Sequence, residues 1–144
     1  MRFLQLNMKK AFVAAVELSS RLEGKENFAC LVTEPYRYKE KIASLPPGVK
    51  ALCSKKNARA AIFYKGEDEI MDIETLTNPD CAVGLLKHKE GSILVASVYL
   101  DINKEATPGW LAELCNYADG RNYPLILGMD SNAHSVLYLS LIHI

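Results

Sequence analysis

The 144-residue sequence has no surplus of charge, because 17 Lys and Arg offset 17 Asp and Glu. The totals therefore name no electrostatic partner, and affinity for nucleic acid has to rest on local placement of charge. Cysteine is sparse: Cys30, Cys53, Cys81 and Cys115 stand far apart, with no CxxC pair and no histidine at zinc-ligand spacing. That pattern excludes a zinc-finger type of site and reads as reduced, mostly buried thiols. A basic leader followed by a long apolar run is missing, and no stretch approaches the roughly 20 apolar residues needed to span a bilayer. A soluble, intracellular protein with no membrane partner is the expectation. Internal repeats, low-complexity segments and linkers are also lacking, so one unit is expected.

What is present suits a packed domain: 49% of residues are hydrophobic and 24% charged, enough to build a core. Phe3, Leu4 and Leu6 open a short strand; Ala11, Ala15, Leu18 and Leu22 then recur at helical spacing with Phe12 and Val16 beside them, and Gly24 supplies a stop. Phe28 to Thr33 is a continuous apolar run, as expected of a strand covered on both faces, ending at Glu34-Pro35 where proline forbids central pairing. Tyr36 to Gly48 reads as a loop in which Arg37, Lys39 and Lys41 alternate with tyrosines. Val49–Cys53, Ala58–Tyr64, Ile70–Ile73, Cys81–Lys87 and Ser92–Tyr99 read as a meander of mixed strands. Thr107 as N-cap, Pro108 at the first helical position and Gly120 after the last turn frame a second helix, with Leu111, Leu114, Cys115 and Ala118 facing inward. Pro124 to Met129 is a last strand, and Asp130-Ser131-Asn132-Ala133-His134 follows it directly, where α/β sheets place chemistry.

Each candidate also has a plain structural reading. Glu34, Asp130 and Asn132 are hard oxygen ligands or hydrogen-bonding groups of the type magnesium and phosphate chemistry uses. Yet Asp-Ser-Asn also makes an ordinary polar turn, and an isolated Glu is commonly a solvated charge. Asn7 suits a helix N-cap as well as a site. Tyr99 taken alone is more often a half-buried aromatic with a wet hydroxyl. Arg37 and Lys39 could touch phosphates or simply be solvated. His134 supports either a site or a structural hydrogen bond.

The joint order adds to these single residues. Leu4-Gln5-Leu6-Asn7, Thr33-Glu34-Pro35-Tyr36, Ser97-Val98-Tyr99 and Leu127-Gly128-Met129-Asp130-Ser131-Asn132-Ala133-His134-Ser135 resemble, in order and spacing, the endonuclease/exonuclease/phosphatase superfamily. Within it, Asp-Ser-Asn-Ala-His-Ser is similar to the Asp-x-Asn-Ala-His pattern of the endonuclease domains of LINE-type, non-LTR retrotransposons. The resemblance runs from Arg2 to Tyr138. It implies an α/β fold, an α+β four-layer sandwich of the DNase-like kind, of which the N-terminal half to two-thirds is present as mixed, mostly antiparallel sheet with two helices. It also implies a Mg²⁺-dependent endonuclease, with Mn²⁺ as an alternative ion, that nicks DNA by phosphodiester hydrolysis and leaves a 3′ hydroxyl for target-primed reverse transcription.

Carried over, Glu34 and Asn7 serve the metal, and Asp130 orients or deprotonates the attacking water. Asn132 and Tyr99 bond the water or phosphoryl oxygens; Arg37 and Lys39 bind substrate, and His134 supports the Asp130–Asn132 loop. A reverse transcriptase domain is expected downstream, and the nucleus as the place of action. The family's Ser-Asp-His near the domain's end, and the Asp and Asn before it, have no counterpart here, so residues 1–138 are expected to be a partial, inactive domain with apolar faces and strand edges uncovered. Leu139 to Ile144 reads as the translation of a sequencing adapter. The alternatives are another phosphoesterase of the superfamily, or a retroelement remnant without catalysis.

Overall fold

The computed structural model describes residues 1–101 and 108–131. The order is β1 (Arg2–Asn7), α1 (Phe12–Leu22), β2 (Phe28–Thr33), β3 (Arg37–Tyr38), β4 (Lys41–Ile42), β5 (Lys50–Cys53), β6 (Ala60–Lys65), β7 (Ile70–Asp72), β8 (Cys81–His88), β9 (Gly91–Leu100), α2 (Gly109–Gly120) and β10 (Leu125–Ser131). Two four-stranded sheets form, β1-β2-β6-β5 and β10-β9-β8-β7, besides the small β3-β4 ladder. The expected single meander is therefore divided: β5 and β6 join the first sheet, β7 to β9 the second. Pairing is antiparallel except for β1 with β2 and β9 with β10. Each parallel pair is connected through a helix, as parallel neighbours require.

Period-two alternation explains the layers. Phe28, Cys30 and Val32 of β2 pack against Ala15, Leu18 and Leu22 of α1. Leu94, Ala96, Val98 and Leu100 of β9, with Leu127 and Met129, pack against Leu111, Leu114 and Ala118 of α2. The alternate residues, Ala29, Leu31, Leu52 and Ile62 from one sheet and Ile70, Ala82, Leu86 and Val95 from the other, meet in the middle. Helix, sheet, sheet and helix are stacked in four layers. Ser97 crosses the middle layer, its buried hydroxyl donating to the Val32 carbonyl at 2.8 Å.

Several local expectations need correction. Asn7 is not a helix cap: it ends β1, and α1 starts after Ala11, which makes no side-chain cap bond. The left-handed residues Lys9 and Lys10 separate the two elements, so Asn7 is too early to cap. Phe12 and Val16 turn outward; Phe12 is 56% and Val13 76% exposed. Pro108 is the extended N-cap of α2 and not its first helical residue, while Gly120 is its last and not the residue beyond; Thr107 lies outside the described residues. Within the expected loop, Lys39 and Glu40, both at positive φ, turn β3 into β4, the geometry of a tight hairpin. Among the described residues β1 and β10 are edges, with Leu4 exposed on β1. No described helix is long and apolar enough to cross a membrane.

The cysteines form no disulfides. Burial pushes the Cys30 thiol from the ordinary 9.0 up to about 11. Burial, followed by the charge of Asp80, pushes Cys81 up to about 12. A thiol raised in the folded state contributes stability that is full below the unfolded value of 9.0 and is lost as pH rises through the folded one, here about 11 to about 12. Denaturant midpoints measured on either side of pH 9.0 are thus expected to fall more steeply for the native chain than for Cys30→Ala or Cys81→Ala. Equal slopes would remove the thiols as the cause.

Candidate functional site

The alternation that builds the middle layer continues out of it. Ala29 and Leu31 lead to Thr33, Phe3 and Gln5 lead to Asn7, Val95 and Ser97 lead to Tyr99, and Gly128 leads to Asp130. Because β1 and β2 are parallel, Asn7 stands beside Thr33 at their carboxyl ends. For the same reason Asp130 stands beside Tyr99 on β10 and β9. The two sheets bring these ends together: the Asn7 amide nitrogen donates to Asp130 Oδ2, and the Thr33 hydroxyl reaches the same oxygen at 3.4 Å. Below them Gln5 Nε2 donates to the Met129 carbonyl at 2.8 Å, fastening β1 to β10. Asn7 Oδ1 accepts the Lys9 backbone N–H at 2.7 Å, which fixes the amide plane.

Glu34 follows β2 with a left-handed backbone, φ 48°. Glutamate rarely adopts that conformation, so the surroundings must impose it. Its N–H donates to the Arg59 carbonyl at 2.8 Å and its own carbonyl accepts the Lys10 N–H at 2.8 Å. Burial, then the negative charge of Glu34, raises the Tyr99 phenol above its ordinary range, with Asp101 and Asp130 adding to the effect and Arg59 opposing it. Asn7, Glu34, Tyr99 and Asp130 are all half-buried. Among the described residues neither Glu34 nor Asp130 has a basic ion-pair partner.

The donor set suits a hard cation. Two carboxylates, an amide oxygen with a spare lone pair and a hydroxyl are all oxygen, and Mg²⁺ is held by one or two carboxylates together with water and substrate phosphate more often than by a full protein cage. Among the described residues no group of three or more His, Cys, Asp or Glu could hold a metal ion alone.

Arg37 is half-buried and lines a shallow cleft with Lys10, Pro35, Glu40 and Asn57, beside Glu34 in the chain. Lys39 is exposed, 5.5 Å from the Tyr38 ring centroid. Asn132 and His134 lie outside the described residues. Three residues that sequence reasoning left unassigned stand beside Tyr99. Arg59 donates to Asp80 through Nε and Nη2 at 2.6 and 2.8 Å and to Asp101 through Nη1 at 2.8 Å, with its guanidinium 4.8 Å from the Tyr99 ring centroid. Only their positions next to strand ends could have hinted at this, since 21 and 42 residues separate Arg59 from its two partners.

No family model matches the chain. The 115 kDa protein in type-1 retrotransposable element R1DM of Drosophila melanogaster is 29% identical to it over 138 residues, 96% of this chain and 14% of that protein. Among solved structures, the endonuclease domain of TRAS1, a telomere-specific non-LTR retrotransposon, superposes with a TM-score of 0.68 over 93% of this chain and 60% of that one, at 20% identity. The chain has the fold of that endonuclease domain. The mixed α/β architecture of this chain, with mostly antiparallel sheets and two helices, superposes on that fold. The chain spans a small part of the R1DM protein and about three-fifths of the TRAS1 domain.

Proposed function

We propose that the chain is part of a retrotransposon endonuclease domain that nicks DNA in the presence of Mg²⁺ and leaves a 3′ hydroxyl. The observation that carries this reading is the meeting of Asn7, Thr33 and Asp130 across two sheets, with Glu34 and Tyr99 beside them. The similarity to a retrotransposon protein and to a retrotransposon endonuclease fold supports it. Glu34 and Asn7 would hold Mg²⁺, or Mn²⁺; the bound ion offsets charge on the scissile phosphate and the leaving oxygen. Asp130 uses Oδ2 for Asn7 and Thr33, which leaves its other oxygen to orient and deprotonate the attacking water. The Tyr99 hydroxyl, kept protonated, donates to a phosphoryl oxygen as charge develops, and Asn132 does the same. Arg37 and Lys39 offer cations to neighbouring phosphates. The partner is DNA, the setting the nucleus, and a downstream reverse transcriptase extends the 3′ end.

Supercoiled plasmid tests this. Nicking by the complete domain, of whose TRAS1 counterpart the chain spans about three-fifths, is expected with Mg²⁺, to vanish in chelator and return with added Mg²⁺ or Mn²⁺, and the nicks should prime a DNA polymerase; residues 1–138 alone are expected not to nick. A protein that hydrolyses a small phosphoester yet leaves plasmid intact would instead be another phosphoesterase of this fold, and nicking that persists in chelator would exclude the metal.

A further inference from the structure

A line of bonds joins the two half-sites. The Glu34 N–H donates to the Arg59 carbonyl at 2.8 Å, the Arg59 N–H to the Pro79 carbonyl at 2.6 Å, and the Tyr99 N–H to the Asp80 carbonyl at 2.8 Å. Glu34 and Tyr99 extend from different sheets, so the Pro79–Asp80 corner and Arg59 are the bridge between them. The Arg59 side chain repeats the connection: its fork grips both oxygens of Asp80, its third nitrogen grips Asp101, and its guanidinium carbon lies over the Tyr99 ring, 4.8 Å from the centroid. Arg59 precedes β6 of the first sheet, whereas Asp80 precedes β8 and Asp101 follows β9 of the second. Only a planar guanidinium can hold two carboxylates and stack on a ring at once; an ammonium is a point charge.

We infer that Arg59 is a positioning residue, locked by Asp80 and Asp101 so that it sets where the Tyr99 hydroxyl stands relative to Glu34 and Asp130. Its catalytic meaning rests on the nuclease reading; its geometric content does not. A cation over one face of a half-buried ring, with the backbone N–H of the same tyrosine tied to Asp80, leaves the phenol little freedom to swing. Misplacing a reacting group by about 1 Å costs up to about 10²-fold in rate.

Arg59→Lys keeps the charge and loses the fork. In protein carrying ¹³C-labelled tyrosine, with the Tyr99 signal assigned by its loss in Tyr99→Phe, the Tyr99 ring signal is expected to move in Arg59→Lys while the other tyrosines stay. In the nicking assay of the complete domain the same variant should lose about tenfold to 10²-fold in kcat with KM unchanged. Arg59→Lys combined with Tyr99→Phe should be no slower than Tyr99→Phe alone. A stationary Tyr99 signal in the folded variant, or losses that multiply, would overturn the inference. If the lysine variant does not fold, Asp101→Asn, which removes one charge and keeps an acceptor, is read in the same two ways. A complete native domain that fails to nick would count against the nuclease reading alone, because the ring signal reports the placement of Tyr99 independently.

Discussion

Replacing Asp130 by alanine in the complete domain is expected to slow nicking of supercoiled plasmid by about 10²–10⁴-fold, the range associated with losing a positioned acid–base group. The carboxylate is singled out by its neighbours. Asn7 and Thr33 both donate to Oδ2, so the group is held in one orientation by two strands of the opposite sheet. Asp130→Asn is expected to do little better, because its amide oxygen can accept the Asn7 bond but its nitrogen cannot take a proton from the attacking water. The cost to stability should stay near 1 kcal/mol, that of a typical hydrogen bond. A slow enzyme with a melting point lowered by only a few degrees is thus the expected combination. Nicking at the native rate in Asp130→Ala would remove that residue from the chemistry.

Gly128→Val should show the opposite balance, a large loss of stability that carries activity down with it. A β-carbon on residue 128 would lie 2.7 Å from Leu31 Cδ1 and 2.8 Å from Leu31 Cβ. Real contacts are not that short, and the neighbour is a branched core side chain of the facing sheet, itself 3% exposed, with nowhere to retreat. Overpacking of this kind costs about 1–3 kcal/mol. The strain falls two residues before Asp130, on the strand that meets β1 through the Gln5 bond, so the half-sites should separate as well. Adding Leu31→Ala supplies the check. Alone it should cost about 2–5 kcal/mol, as large-to-small core changes do. Combined with Gly128→Val it should cost less than the sum, since the added methyls then fill the space left by Leu31 Cγ and Cδ1, although the Cβ that alanine keeps still presses on residue 128. Strict additivity in a denaturant titration would show that residues 31 and 128 do not compete for that space.

The sequence carried the elements better than their grouping. Phe28–Thr33 was readable as a fully covered strand because all six residues are apolar or small, and the strand has those bounds. The same uniformity hid which of the six face α1 and which face the second sheet, since alternation is visible only when one face is polar. Nothing in the segment from Gly66 to Glu69 signals that the chain changes sheets there. Asn7, Glu34, Tyr99 and Asp130 could be picked out because each follows or ends an apolar run. What Asn7 does could not be read, because its partner is 123 residues away. The Arg59 network was invisible for the related reason that its members are single charges scattered among many others.

The length of that separation has a consequence for synthesis. The β8–β9 hairpin and the two helices close over short stretches of chain, but the Asn7–Asp130 bond closes a loop of 123 residues, whose entropic cost grows with the logarithm of its length. Domains emerge from the ribosome N-terminus first. A nascent chain that has reached Leu100 already carries Asn7, Glu34 and Tyr99 yet has no Asp130 for them to meet, so the four cannot be brought together until β10 has been made and seated beside β9.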